Sequence, residues 1–192
     1  ASLPFFMLSL AGPSGLVPDM GSLPAFSFEE RAFDLGAKCI AGVDEAGRGP
    51  VAGPVTAAAV ILDPNNIPEG LNDSKQLSEK RRASLYEVIC ATAQVGVGEA
   101  SVEEIDAINI LQASHLAMCR AIDALPKSPD LVLIDGNRTP RDLTLRAQPI
   151  VKGDTKSVSS AAASIVAKFC RDDVMKMLAQ HWPGYGWETN KG

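Results

Sequence analysis

The chain has 192 residues and a formal net charge of −5, with 46% hydrophobic and 21% charged residues. This composition is typical of a single globular domain, and it excludes a largely disordered chain. The net negative charge excludes a protein that binds nucleic acid through a large overall positive charge, as histones do. It does not exclude a local basic surface.

The four cysteines, at positions 39, 90, 119 and 170, are scattered and form no CxxC pair. Their spacing argues against a zinc knuckle and against a disulfide framework, and it predicts buried free thiols in a reducing, cytoplasmic compartment. The longest apolar stretch near the start, residues 3–10, is too short to span a bilayer and lacks a basic flank. We therefore expect neither a membrane protein nor a secreted one.

Residues 1–36 are expected to form an N-terminal extension that is partly flexible, because residues 1–24 are rich in Pro, Gly, Ser and Leu without a sustained period. Within this extension, residues 27–36 predict a short helix that Ser27 caps and Gly36 ends. The main domain is expected to comprise residues 37–192.

Apolar runs and helical periods alternate through the main domain. They predict an α/β fold in which a mixed β-sheet is flanked by α-helices. The predicted strands are residues 39–43, 55–62, 93–100, 131–134 and 149–151, and the predicted helices are residues 78–91, 108–125 and 157–179.

Four acidic residues stand where burial of a charge is costly. Asp44 and Glu45 follow one apolar strand, Asp135 follows another, and Asp154 precedes the last helix. If the two strands are neighbours, Asp44 and Asp135 lie side by side and repel each other unless a cation lies between them. Mg²⁺ and Mn²⁺ are the cations that such oxygen ligands favour. Each acid alone is more typical of a turn or a helix cap than of a metal site, so the prediction depends on the set.

The turn-rich segment AGRGPVAGP, residues 46–54, is expected to lie beside these acids. Gly47 and Gly49 permit backbone shapes and close approaches that other residues forbid, and Arg48 adds a positive charge. The spacing and the prolines exclude a dinucleotide fingerprint, and no GK[ST] follows as in a P-loop. Such a turn suits a phosphodiester, although a purely structural turn is an equal alternative. If it does contact substrate, alanine at either glycine should impair substrate choice more than folding.

These segments resemble the bacterial ribonuclease HII family, from about residue 26 to the end of the chain. The most specific block is AGVDEAGRGPVAGPV at residues 41–55. The further blocks follow in order: NDSKQLS (72–78), IDAINILQASHLAM (105–118), LVLIDGN (131–137), VKGDTKSVSSAAASIVAKFCRD (151–172) and HWPGYGWETNKG (181–192).

The resemblance implies a ribonuclease H-like fold and an endonuclease that takes part in ribonucleotide excision. Its substrates would be RNA–DNA hybrids and ribonucleotides embedded in duplex DNA, which it would cut as a monomer to leave 5′-phosphate and 3′-hydroxyl ends. The resemblance further implies two divalent ions, Mg²⁺ or Mn²⁺, during catalysis. The residues it makes catalytic and metal-binding are Asp44, Glu45, Asp135 and Asp154.

The resemblance also implies which residues contact nucleic acid. Gly47, Arg48 and Gly49 match the motif that reads the ribose 2′-hydroxyl, and Ser74 and Lys75 match a segment near the substrate. Basic residues after position 135 would then form a flanking surface for phosphates: Arg138, Arg141, Arg146, Lys152, Lys156, Lys168, Arg171 and Lys176.

The end of the chain departs from the family pattern. In the family a tyrosine normally follows NKG and packs on the sugar beside the scissile junction, whereas this chain stops at Gly192. Tyr185 belongs to the PGYG block and does not replace it. We therefore expect a catalytic domain whose metal site is complete and whose C-terminal part is missing, with a weakened preference for single ribonucleotides.

Three alternatives stay open on the sequence alone. One is another metal-dependent enzyme of the same fold, such as a DNA resolvase, a transposase-type nuclease or a sugar-kinase-like phosphotransferase. Another is a module that binds nucleic acid without turnover. The third is an interaction protein that uses residues 1–36.

Overall fold

The fold is described here from a computed structural model that covers residues 23–50 and 52–189. Its strands are β1 (Ile40–Ala46), β2 (Val55–Ile61), β3 (Gln94–Ala100), β4 (Leu131–Asp135) and β5 (Ala147–Ile150). Its α-helices are α1 (Ser27–Asp34), α2 (Glu79–Thr92), α3 (Val102–Asp123) and α4 (Val158–His181). Short 3₁₀ helices occur at Gly153–Thr155 and Trp187–Thr189.

The five strands form one mixed sheet in the order β3-β2-β1-β4-β5. The central strand β1 runs antiparallel to β2 and parallel to β4. The parallel register pairs Val43 with Ile134, so the next residue of each strand, Asp44 and Asp135, emerges at the same edge of the sheet. The predicted α/β fold with a mixed sheet is confirmed.

Helices cover both faces of the sheet. On one face α3 packs on apolar residues that include Val43 and Ile134, and on the other face α4 and α2 pack on residues that include Val60. Gly42 lets α4 approach β1 closely, because a Cβ at this position would collide with the backbone of Ser159. The approach brings the start of α4 next to the end of β1.

Helix α3 begins six residues before its predicted start at residue 108. Ser101 accepts a hydrogen bond from the amide of Glu104, whose side chain in turn accepts one from the amide of Ser101, and this capping box stabilises the earlier start. Asn109, at φ 69°, interrupts the helix, and its side-chain oxygen accepts hydrogen bonds from the amides of Leu111 and Gln112. The helix therefore consists of two segments with a kink between them.

Helix α1 is packed onto the main domain. The carboxylate of Glu29 is buried and accepts hydrogen bonds from the hydroxyl of Ser157 at 2.6 Å and from the amide of Ser159 at 3.0 Å, which places a negative charge at the N-terminus of α4. The predicted cap at Ser27 is wrong, because Ser27 already lies in the helix and Phe26 precedes it. Residues 1–22, which were expected to be flexible, lie outside the described residues.

All four cysteines are free, but they differ in exposure. Cys39 is buried and Cys119 and Cys170 are half-buried, whereas Cys90 is exposed on α2. The prediction of four buried thiols is therefore wrong for Cys90. Across residues 23–50 and 52–189, the structure contains no helix with the length and apolar character that a bilayer crossing requires.

Candidate active site

Three carboxylates converge at the edge of the sheet where β1 and β4 end. One oxygen from each of Asp44, Asp135 and Asp154 lies within 4.8 Å of the other two. Two of these residues arrive on paired strands, while Asp154 arrives on the Gly153–Thr155 turn, whose amide at Gly153 donates to an oxygen of Asp135 at 2.6 Å. Three of the four acids predicted to lie together are thus brought together by the sheet and by one turn.

Asp44 has the most unfavourable electrostatic surroundings of the three. Its side chain is 7% exposed, and its pKa is raised well above the ordinary value, first by burial and then by the charges of Glu45, Asp135 and Asp154. The amide of Glu45, which donates to Asp44 at 2.7 Å, only partly offsets this effect. A divalent cation would remove the repulsion, and an all-oxygen donor set suits Mg²⁺ or Mn²⁺.

Asp154 is half-buried and carries a pKa raised to about 6. Burial is the largest cause, and the neighbouring charges of Asp135 and Asp73 add to it, while Lys75 acts in the opposite direction. The influence of Asp73 and Lys75 shows that the loop before α2 faces the acidic cluster.

Glu45 lies in the same cleft but outside the group of three. Adjacent residues on a strand point to opposite faces, so Glu45 lies on the α3 side of β1 while Asp44 lies on the α4 side. One oxygen of Glu45 pairs with Arg48 at 2.9 Å, and within the described part of the chain the other is buried without a hydrogen-bond partner. That second oxygen is available to a cation.

The glycine turn after β1 lines the cleft beside the acids, as expected. Gly47 has φ +107°, and a Cβ there would collide with the side chain of Arg171 and lie 2.6 Å from the carbonyl oxygen of Pro54. Among the described residues, no atom lies within 4 Å of the place that a Cβ at Gly49 would occupy. The expectation that alanine impairs substrate choice more than folding is therefore wrong for Gly47, which packing requires, and is still to be tested at Gly49.

Ser74 and Lys75 line the opposite wall of the cleft, which has a volume of about 470 Å³. Ser74 is buried, and its amide donates to the hydroxyl of Ser164 on α4 at 3.0 Å. Lys75 is exposed, and its amide donates to the side chain of Asp73 at 2.9 Å. Both residues predicted to lie near the substrate therefore face the acidic cluster.

The predicted basic surface is only partly present. Lys168 and Arg171 are buried, and Lys176 pairs with Glu79 at 2.7 Å, so these three do not form a free cationic surface. Lys156 donates to the carbonyl oxygen of Val151. Four exposed cations after position 135 remain for a surface: Arg138, Arg141, Arg146 and Lys152.

His115 on α3 lies near part of this basic surface. Its pKa is lowered, first by burial and then by the charges of Arg48, Arg138 and Arg141. The charges of these three arginines thus act on the same side of α3, and Arg48 among them lines the cleft.

Sequence reasoning missed two buried residues that hold the cleft together. Arg171 donates to the carbonyl oxygens of Ala52 and Pro54, which anchors the loop after Gly49 to α4. Arg82 donates to the carbonyl oxygen of Ser74 at 2.6 Å. Both arginines lie on helices, α2 and α4, where the residue type alone does not distinguish a buried anchor from a solvated side chain.

Comparisons with known proteins identify the family of this chain. The ribonuclease HII family model matches residues 41–192. Ribonuclease HII of Roseobacter denitrificans is 65% identical over 158 residues, which cover 82% of this chain and 80% of that protein. Ribonuclease HII of Paracoccus denitrificans is 62% identical over 169 residues, which cover 88% of this chain and 80% of the relative.

A solved structure supports the same assignment. Ribonuclease H2 from Pyrococcus horikoshii has a TM-score of 0.69 to this chain at 27% identity, over 81% of each chain. With a family model that spans most of the chain and relatives above 60% identity, the resemblance seen in the sequence is confirmed. The chain belongs to the ribonuclease HII family, whose members are metal-dependent endoribonucleases of the ribonuclease H class.

Proposed function

We propose that the chain hydrolyses the RNA strand of RNA–DNA hybrids and cuts at ribonucleotides embedded in duplex DNA. The observation that carries this proposal is the convergence of Asp44, Asp135 and Asp154 within 4.8 Å, in a cleft that the glycine turn also lines. Family membership supports the substrate class, because ribonuclease H enzymes act on RNA in hybrids.

The acidic cluster is proposed to hold two divalent ions, Mg²⁺ or Mn²⁺, during catalysis. Asp44 and Asp135 on the strand ends and Asp154 on its turn would provide oxygen ligands, and Glu45 would add its buried, unpaired oxygen. Bound divalent ions supply stabilisation of the charge on the attacking and leaving oxygens of an in-line displacement at phosphorus. Attack of water at phosphorus with breakage of the P–O3′ bond would leave 5′-phosphate and 3′-hydroxyl ends.

The residues around the acids are proposed to select and orient the substrate. The backbone at Gly47 and Gly49, with Arg48 between them, would approach the ribose, where the 2′-hydroxyl distinguishes RNA from DNA. Arg48 also pairs with Glu45 at 2.9 Å, which couples the position of this turn to the acidic cluster. Across the cleft, Ser74 and the exposed ammonium of Lys75 would contact the strand that is cut.

A gel assay on three matched duplexes tests this proposal: an RNA–DNA hybrid, a DNA duplex with one ribonucleotide and an all-DNA duplex. We expect cutting of the first two with Mg²⁺ or Mn²⁺, none with EDTA, and none of the all-DNA duplex under any condition. Cutting of the all-DNA duplex would instead favour another nuclease of the same fold. Metal-dependent binding without any product would favour a module without turnover.

The chain is further proposed to act as a monomer in the cytoplasm. Free cysteines suit a reducing compartment. The exposed large apolar residues of the described part are distributed over several elements, for example Leu35 on the α1 side, Val97 on β3 and Met177 on α4. Single exposed residues of this kind are normal on a monomer surface. Light scattering coupled to size-exclusion chromatography measures the state directly, and a mass near 40 kDa would contradict the proposal.

A further inference from the structure

A buried group of three charged residues lies behind the cleft wall. Arg82 on α2 and Lys168 and Asp172 on α4 are 7%, 5% and 5% exposed. Lys168 donates to Asp172 at 2.7 Å, and a guanidinium nitrogen of Arg82 lies 3.6 Å from the other oxygen of Asp172. One carboxylate thus balances two cations, and one of these cations, Lys168, itself lines the cleft.

Arg82 also holds the segment that carries Ser74 and Lys75, here called the 72–77 segment. One of its nitrogens donates to the carbonyl oxygen of Ser74 at 2.6 Å and to that of Leu77 at 3.2 Å. The amide of Ser74 donates to Ser164 on α4 at 3.0 Å. The segment is therefore attached to the two helices by its backbone, at its middle and at its C-terminal end.

Stability alone does not account for charges in this place. A buried ion pair replaced by apolar residues of similar volume is often equally stable or more stable. An apolar side chain, however, cannot donate to the carbonyl oxygens of Ser74 and Leu77. A guanidinium can do so, because it has five donors in a fixed plane, and Asp172 provides the negative charge that makes its burial tolerable.

We propose that Arg82, held by Asp172, is a positioning residue that fixes the 72–77 segment so that Ser74 and Lys75 face the substrate. This inference rests on the proposed function, because it assigns these two residues a substrate to face. It goes beyond that function in naming the buried charges on α2 and α4 that hold a substrate-contacting segment in place.

The test compares Arg82→Met with Arg82→Lys and with a control, Arg120→Met. Removing Arg82 leaves Asp172 paired with Lys168, so no buried charge loses its only partner. Arg120 on α3 is a control for the loss of an arginine with similar partners, because it also donates to a backbone carbonyl, that of Glu99 at 2.7 Å, and to a carboxylate, that of Glu104 at 2.6 Å. Its side chain is 44% exposed, whereas that of Arg82 is buried. Arg120 does not line the cleft.

Two measurements distinguish positioning from a merely structural role. Hydrogen exchange measures how often the backbone of the 72–77 segment opens when no substrate is present. We expect the amides of this segment to exchange about tenfold faster in Arg82→Met than in wild type, because the loss of one hydrogen bond corresponds to about that factor. Steady-state kinetics on a duplex with one ribonucleotide should show KM raised about tenfold and kcat nearly unchanged, because lost binding raises KM whereas partial unfolding lowers only the apparent kcat.

Each outcome decides the proposal. Arg82→Lys, which retains one donor group, should give values between those of wild type and Arg82→Met in both measurements. Arg120→Met should match wild type. If Arg82→Met does not fold, the comparison of Arg82→Lys with wild type decides the question. Unchanged exchange in the segment, or an unchanged KM, overturns the proposal. If the wild type cuts no ribonucleotide-containing duplex, the proposed function has failed, and the exchange data alone decide whether Arg82 holds the segment.

Discussion

The acids at the strand ends and the acid on the turn reach the same site by different means. Asp44 and Asp135 follow residues that pair directly in the sheet, so their positions are fixed by backbone hydrogen bonds of the core. Asp154 lies on a short 3₁₀ turn that one amide, that of Gly153, ties to Asp135 at 2.6 Å. The comparison indicates a rigid pair of carboxylates and a third carboxylate whose position depends on local contacts.

Replacing an acid of the rigid pair should have the largest effect on activity. Asp135→Asn keeps the shape of the side chain and an oxygen that can accept from Gly153, but it removes a charge from the cluster. We expect kcat/KM on an RNA–DNA hybrid to fall at least about 10³-fold, which corresponds to about 4 kcal/mol. The control Asp142→Asn removes a charge from an exposed position and should retain wild-type kcat/KM.

Replacing the turn acid should have a smaller and pH-dependent effect. Asp154→Asn is expected to lower kcat/KM about 10²-fold, about 3 kcal/mol. Because the pKa of Asp154 is about 6 without metal, a proton competes with the ion below pH 6, so metal affinity should rise as the pH increases through 6. Calorimetric titration with Mn²⁺ at pH 5.5 and pH 7.5 measures this rise. An equally strong rise in Asp154→Asn would show that another group titrates.

Alanine substitutions at the two glycines beside the rigid pair should affect folding at one position and substrate recognition at the other. Gly49→Ala meets no atom of the residues that the structure describes, so we expect an unchanged Tm. We also expect about a tenfold lower preference for ribonucleotide-containing duplex over all-DNA duplex in competition binding. Gly47→Ala should instead lower stability by about 2 kcal/mol or more, because of its positive φ and its contact with Arg171. An unchanged Tm in both variants together with full ribose preference would remove the turn from recognition.

The smallest expected effect concerns the stability of the metal-free protein. The raised pKa of Asp154 means that the folded state binds a proton more tightly than the unfolded state, so stability falls as the pH rises from about 4 to about 6. Asp154→Asn removes this loss. In EDTA at pH 7.5 we expect the Asp154→Asn variant to be more stable than wild type. The expected difference, after allowance for solvent screening, is about 1 kcal/mol, which corresponds to about 3 °C in Tm. At pH 4 the two melting curves should nearly coincide.

The sequence predicted the sheet and the rigid pair better than the parts that complete the site. Asp44 and Asp135 follow apolar runs, and the strand pattern together with parallel pairing is sufficient to bring them together. Asp154 stands between two lysines in a polar stretch, so no strand pattern placed it beside the other acids, and the family motif was needed to assign it to the site. The predicted start of α3 was wrong because its first turns are mostly polar, and the capping box at Ser101 outweighs the weak apolar period there.

The buried arginines could not be predicted for a related reason. Arg82 and Arg171 occupy helical positions that are polar in sequence, and their partners are backbone carbonyls of loops distant along the chain. A carbonyl acceptor has no residue type, so no sequence pattern indicates it.

The contact between Glu29 and the start of α4 limits where the protein can be shortened. A version that began at residue 37, the boundary that composition alone indicates, would lose the only acidic side chain among the described residues that accepts from the hydroxyl of Ser157 and the amide of Ser159. Ser157 immediately follows the short turn and loop that carry Asp154. Removing α1 would thus loosen the segment that carries Asp154, and a minimal active fragment should retain α1.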